Sequence, residues 1–149
     1  HVILGYNYRM TDIQAAVGIE QLKRVGDIVA KRRAQVDRYR GKLADLGCLR
    51  LPAEPAWART NWQTFNVRVL ESSPLDRNAL MERLLEMGVA TRRGVMNAHE
   101  QTSWGGLPLR FPLPVSERMN RECIQIPLFA QMSVEEHDYV CECLHKLLA

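Results

Sequence analysis

A run of apolar residues at helical spacing dominates the first third of this chain. Leu22, Val25, Val29, Val36, Tyr39, Leu43 and Leu46 alternate three and four apart, with Arg32 at the one interrupted position. Such spacing places them along one face of a helix. It predicts helix from Thr11 to about Leu46, either continuous or as two helices meeting near Gly26 with Asp27 capping the second. Gly47 is the natural stop, since glycine takes the left-handed conformation that ends helices. A helix of this length needs a partner along its apolar face. Its other faces are basic: Lys23, Arg24, Lys31, Arg32, Arg33, Arg38, Arg40 and Lys42 stand against Glu20, Asp27, Asp37 and Asp45. Arg24, Lys31 and Arg38 recur every seven residues and share a face. That face suits an anionic ligand, but solvated charge on a long helix is the commoner reason for such a pattern.

Beyond the helix the periodicity changes. Leu51 to Ala56 is a proline-punctuated loop, and Trp62 to Leu70 alternates as a strand, with Phe65, Val67 and Val69 on one face and Thr64, Asn66 and Arg68 on the other. Asp76 caps a helix from Arg77 to Met87 that Gly88 closes, and Val89 to Arg93 reads as a second strand. From Gly94 to Pro114 glycines and prolines keep the chain irregular, and a loop of that length in a compact domain is functional or disordered. Ser116 caps a short helix through Glu122, Cys123 to Leu128 is a third strand, and Ser133 with Glu136 forms a capping box for the last helix. The expected fold is α+β: a long N-terminal helix and a small three-stranded, mostly antiparallel sheet with helices packed on one side. A parallel sheet is the alternative, disfavoured because helices and strands do not alternate regularly.

Length and composition suit one soluble domain over residues 1–149: 46% of the residues are hydrophobic and 25% charged. No apolar run approaches the ~20 residues of a membrane span, and His1 to Leu4 is too short for the apolar region of a signal peptide. Cys48, Cys123, Cys141 and Cys143 are few and scattered, which argues against a disulfide framework and fits a reducing cytoplasm. The net charge of +3 permits an anionic ligand without making nucleic acid an expected partner. His137, Cys141 and His145 are four apart on one helix face, a spacing that can hold zinc. A fourth ligand is missing, so a packed or exposed helix face is the expected reading.

The opening stretch is more specific. Gly5-Tyr6-Asn7-Tyr8-Arg9-Met10, with Gln14-Ala15-Ala16, Gly18 and Gln21-Leu22 behind it, reads as a polar turn and a helix start that Thr11 or Asp12 caps. Over these roughly eighteen positions, and in the remaining chain to its end, the sequence resembles the C-terminal portion of the DegT/StrS-type aminotransferases. The resemblance implies the small domain of a fold type I enzyme, with residues 1–47 as the helical segment that links it to a large domain. It implies pyridoxal 5'-phosphate (PLP) as cofactor, a nucleotide-linked keto-sugar and an amino-acid amino donor as substrates, and a homodimer. It places Asn7 at the position whose amide reaches the cofactor phosphate of the other subunit, with Arg9 beside it able to add charge or to pair with Asp12. His99 matches a substrate-side histidine, and Arg92 and Arg93 can meet a diphosphate. Where the family carries an aromatic residue and a proline before that histidine, this chain has Met96, Asn97 and Ala98.

The four lysines, Lys23, Lys31, Lys42 and Lys146, lie in helical patterns unlike the family's Schiff-base site, and no catalytic residue is assigned. With no initiator methionine and no lysine-bearing N-terminal portion, the chain is expected to be cut from a longer enzyme and inactive alone. The competing class is a non-catalytic association or anion-binding module that uses the long basic helix.

Overall fold

The structure, a computed structural model, describes residue 6, residues 8–104 and residues 108–149. Its longest element is α1 (Asp12–Lys42), 31 residues or about 46 Å at 1.5 Å per residue. Thr11 caps it: the Thr11 hydroxyl accepts from Gln14 N at 3.3 Å, and Gln14 Oε1 accepts from Thr11 N at 3.0 Å. The helix runs through Gly26 unbroken, so Asp27 caps nothing. One glycine costs a helix about 1 kcal/mol, too little to break it where no proline follows. It ends at Lys42, a turn before Gly47, and Leu43 and Leu46 reach the core from the turn that follows.

The apolar stripe is buried over only part of its length. Val36, Tyr39 and Leu43 are in the core, whereas Leu22 and Val25 are 70% and 49% exposed and Ile13 and Val17 are exposed as well. The second half of α1 packs into the domain and the first half stands clear of it.

The sheet has four strands: β1 (Leu49–Arg50), β2 (Phe65–Val69), β3 (Arg92–Arg93) and β4 (Cys123–Ile126). Their order is β1-β2-β4-β3 and every pairing is antiparallel, which excludes the parallel alternative. The strand beyond the three expected is β1, two residues held by Leu49 opposite Val69. The second expected strand shrinks to Arg92–Arg93, leaving Val89 to Thr91 outside the ladder.

On β2 and β4, Phe65 pairs Ile126 and Val67 pairs Ile124, all buried. Against that face lie α2 (Arg77–Glu86), α4 (Val134–Leu148) and the second half of α1, and their buried side chains join it in one cluster. Asp76 and Ser133 cap α2 and α4 as their sequences predict. Gly88 follows α2 at φ +79°, the left-handed conformation expected there. The third helix, α3 (Pro114–Glu122), starts two residues before Ser116, on a proline whose fixed φ suits a first turn. It contributes no buried residue, and its Glu122 pairs with Arg68 on the sheet's polar face.

Several bases of α1 are structural. Arg38 clasps both oxygens of Asp138 on α4 at 2.6 and 2.7 Å, and Lys42 meets the same carboxylate at 2.9 Å. Arg33 holds Glu54 and the Thr60 carbonyl, and Arg40 donates to the Pro52 carbonyl while its guanidinium lies 4.9 Å from the centre of the Trp62 ring. These contacts strap the loop between β1 and β2 to the helix. Among the described residues no helix is long and apolar enough to cross a membrane.

Gly94 is fixed by packing. A Cβ there would sit 2.5 Å from Cys123 Cβ, inside any real contact distance. A Cβ on Gly41, in the last turn of α1, would meet nothing within 4 Å. Gly94→Ala is therefore expected to cost about 1–3 kcal/mol and Gly41→Ala to stabilise by up to about 1 kcal/mol. Urea melts of the two variants check this, and equal midpoints would contradict the packing at Gly94.

Candidate functional site

The antiparallel ladder gives the sheet a second, polar face. Asn66 pairs Gln125, Arg68 pairs Cys123 and Arg92 pairs Gln125, so these side chains point away from the core. At the end of this face where β2 begins and β4 ends, a cleft of about 370 Å³ is lined by Gln63, Thr64, Thr91, Arg92, Gln125 and Phe129, among others. Its groups are amides, hydroxyls and one exposed guanidinium. The Thr91 hydroxyl is buried there without a hydrogen-bond partner, so a ligand hydroxyl or amide entering the cleft could pair it. The cleft can therefore offer an anion one planar cation and a polar molecule several neutral donors and acceptors.

Arg93 is one residue further along the pleat and faces the other way, opposite Ile124 and near Arg77 at the start of α2. The two neighbouring arginines do not converge: Arg92 opens on the cleft and Arg93 does not.

After β3 the chain turns across the sheet at Gly94, whose N–H donates to the Cys123 carbonyl at 3.0 Å and whose carbonyl accepts from Gln125 Nε2 at 3.3 Å. Two short 3-10 turns follow, Ala98–Glu100 and Thr102–Trp104. The first is anchored by Asn97, only 3% exposed. The Ser116 hydroxyl donates to Asn97 Oδ1 at 2.7 Å, Asn97 Nδ2 donates to Glu100 Oε2 at 2.8 Å, and Asn120 donates to the same carboxylate. Those two amides hold the Glu100 carboxyl below the ordinary range. The network ties the turn to α3 and fixes His99, whose Nε2 is buried 3.5 Å from Glu117 Oε1. His99 does not line the Arg92 cleft. The two predicted substrate-side groups occupy separate places.

Arg9 is exposed, two residues before the cap of α1, while Asn7 lies outside the described residues. Of the lysines, Lys23 pairs with Glu20 and Lys42 with Asp138. Lys31 borders a small cleft of about 150 Å³ with Arg24 and Asp27, and Lys146 is exposed in the last turn of α4. Asn97, Glu117, Thr64 and Gln125 are polar groups that sequence reasoning passed over as site residues. Thr64 and Gln125 carried a signal, their places on the polar sides of the β2 and β4 alternations. Asn97 and Glu117 carried none, because the contacts with Ser116 and His99 that place them join distant parts of the chain.

Two sets of comparisons bear on this geometry. Residues 1–145 match the sequence model of the DegT/DnrJ/EryC1/StrS aminotransferase family. Among solved structures, the aminotransferase TlmJ from Streptoalloteichus hindustanus is 26% identical with a TM-score of 0.84, the match covering 97% of this chain and 38% of that one. The PLP form of the putative sugar aminotransferase Spr1654 from Streptococcus pneumoniae is 26% identical with a TM-score of 0.84, covering 99% and 39%. DesI, solved in the presence of its TDP-sugar product, shares the fold at 24% identity and a TM-score of 0.84, covering 92% and 35%. The chain thus spans less than two fifths of the length of these relatives.

The histidines of α4 serve the fold. His137 is 1% exposed; its ring centre lies 3.7 Å from that of Tyr39, and its Nε2 is 3.0 Å from the Gln35 carbonyl. Cys141 Sγ lies 3.8 Å from His137 Nδ1, while His145 turns to the Cys141 carbonyl and to Asp45. Among the described residues no three metal-binding side chains gather.

Burial pushes the His137 imidazole down, so its contribution to stability is present above the ordinary value of 6.5 and declines as pH falls below it. The hydrogen bond to the Cys141 carbonyl, then that to Asp45, raises His145, whose contribution is full below 6.5 and is lost as pH rises through the raised value. In urea melts across about pH 5 to 8, the deficit of His145→Gln should be largest at the acid end and shrink toward the alkaline end. A deficit that grows with pH would contradict the assignment.

Proposed function

The chain belongs to the DegT/DnrJ/EryC1/StrS aminotransferase family, and from that premise we propose that it is the C-terminal small domain of a PLP-dependent enzyme that aminates a nucleotide-linked keto-sugar. The observation that carries the reading is the family match over nearly the whole chain, joined to a fold shared with proteins described as sugar aminotransferases. DesI, a fold neighbour solved with a TDP-sugar product, supports the substrate class.

When bound, the cofactor supplies an electron sink for moving an amino group from an amino acid to the sugar. Lys23 and Lys42 are held by Glu20 and Asp138, Lys31 borders only a small cleft on the long helix and Lys146 is exposed in the last turn of α4, so the Schiff-base lysine is assigned to the remainder of the polypeptide. This chain alone is then inactive. Asn7 would donate its amide to the cofactor phosphate across a homodimer, with Arg9 beside it. Arg92 and its cleft take the anionic part of the nucleotide sugar, His99 hydrogen-bonds the sugar side, and Arg93 serves only if a second phosphate reaches the opposite side of β3. The four free cysteines agree with a reducing cytoplasm. The alternative, an anion-binding role for the long helix, would rest on Arg24 and Lys31, since Arg33, Arg38, Arg40 and Lys42 are engaged within the fold.

The test uses the full-length protein. Given a nucleotide-linked keto-sugar and an amino-acid donor it should form the amino sugar. Loss of a charge-assisted bond is worth roughly 1.5–3 kcal/mol, so Arg92→Ala should raise the KM for the nucleotide sugar about tenfold or more, with a smaller change in kcat. Asn7→Ala should weaken cofactor retention. No turnover with any nucleotide sugar sinks the substrate class; unchanged KM in Arg92→Ala sinks only the role of that cleft.

A further inference from the structure

A charged group outside the site just described has no evident structural reason to be buried. Arg77, the first residue of α2, is 8% exposed. Its Nε is buried without a partner. Its one hydrogen bond, from Nη1 to the Cys123 carbonyl, is 3.5 Å long, and it forms no ion pair among the described residues. That carbonyl is already satisfied by the Gly94 N–H at 3.0 Å, so it does not need the guanidinium. Arginine cannot shed its proton to escape burial. Its charge is disfavoured here first by desolvation and then by Arg93 nearby, with Asp76 opposing. A buried cation with so little compensation calls for an anion.

Arg77 lines a cleft of about 270 Å³ between the turn after β2 and the end of α3, separate from the Arg92 cleft. Val69, Leu70 and Leu75 give it an apolar wall. Arg121 adds a second cation, against Glu71, Asp76 and Glu122. Two of these acids are engaged: Asp76 Oδ1 accepts from Ala79 N at 2.9 Å, and Glu122 pairs with Arg68. With Glu122 paired to Arg68, Arg77 and Arg121 face the charged Glu71 and Asp76, so the cleft has no surplus of positive charge for a dianion, and the case for an anion rests on the buried Arg77 guanidinium itself.

We propose that this cleft binds a short-chain monocarboxylate, its carboxylate on the Arg77 guanidinium and its hydrocarbon tail against Val69 and Leu75. A guanidinium offers two parallel N–H donors to a carboxylate. The apolar wall distinguishes such an acid from phosphate or sulfate, and the acidic rim disfavours a dianion. The site is independent of the substrate assignment above.

Butyrate, exchanged for chloride at constant ionic strength, is the probe. The expected result is a saturable rise in Tm of about 2–4 °C, larger than that from acetate or sulfate, together with a shift of the Arg77 Nε–H NMR resonance. The Tm rise should vanish in Arg77→Met. Arg77→Lys, which keeps the charge without the fork, should bind at least tenfold more weakly. A butyrate effect that persists in Arg77→Met, an equal or larger effect of sulfate, or an Arg77 resonance that does not move would each overturn the proposal. The resonance is read in the unsubstituted chain, so the test survives a variant that fails to fold.

Discussion

Tyr39 is the contact through which the three parts of the fold meet. Its ring stacks on Phe65 of β2 at 5.4 Å between centres and lies 3.7 Å from the His137 ring of α4. Its hydroxyl donates to the Pro127 carbonyl at 2.8 Å, just past the end of β4. A fully buried phenol needs such an acceptor, and burial pushes its own ionisation far above the ordinary value. One side chain of α1 therefore fixes the helix against the central strand pair and the last helix at once. Arg38 and Lys42, on the same stretch of α1, lock that arrangement from the surface through Asp138.

With the core face of the sheet settled by that packing, the polar face follows from alternation. Phe65, Val67, Ile124 and Ile126 point inward, so Asn66, Arg68, Gln125 and Arg92 must point outward. The same alternation sends the neighbouring arginines Arg92 and Arg93 to opposite faces. The candidate cleft is laid over a surface that the core had already oriented, while the Gly94 turn and the Asn97 network place His99 apart from it.

Most elements were legible because their signals are local. The caps at Thr11, Asp76 and Ser133 and the alternation of Phe65 to Val69 each depend on a few adjacent residues. What escaped depends on distance. The strand β1 exists only because Leu49 finds Val69, and two residues carry no period. The apolar stripe of α1 read correctly as one face but could not say which half would find a partner in the described fold. In the candidate site, Arg92 and His99 stood out as residue types. Their separation, the Glu117 contact and the Asn97 anchor arise from α3 meeting a segment roughly twenty residues upstream.

The ends of the sheet have a consequence of their own. Both outer strands, β1 and β3, are two residues long, and each carries arginine: Arg50 on one, Arg92 and Arg93 on the other. Strands so short and so charged are poor templates for a further strand from another molecule. The sheet is thus guarded against growing into an intermolecular ribbon. The apolar side chains exposed on the first half of α1 have no such guard, so a helix face and not a sheet edge is the less protected surface of the described fold.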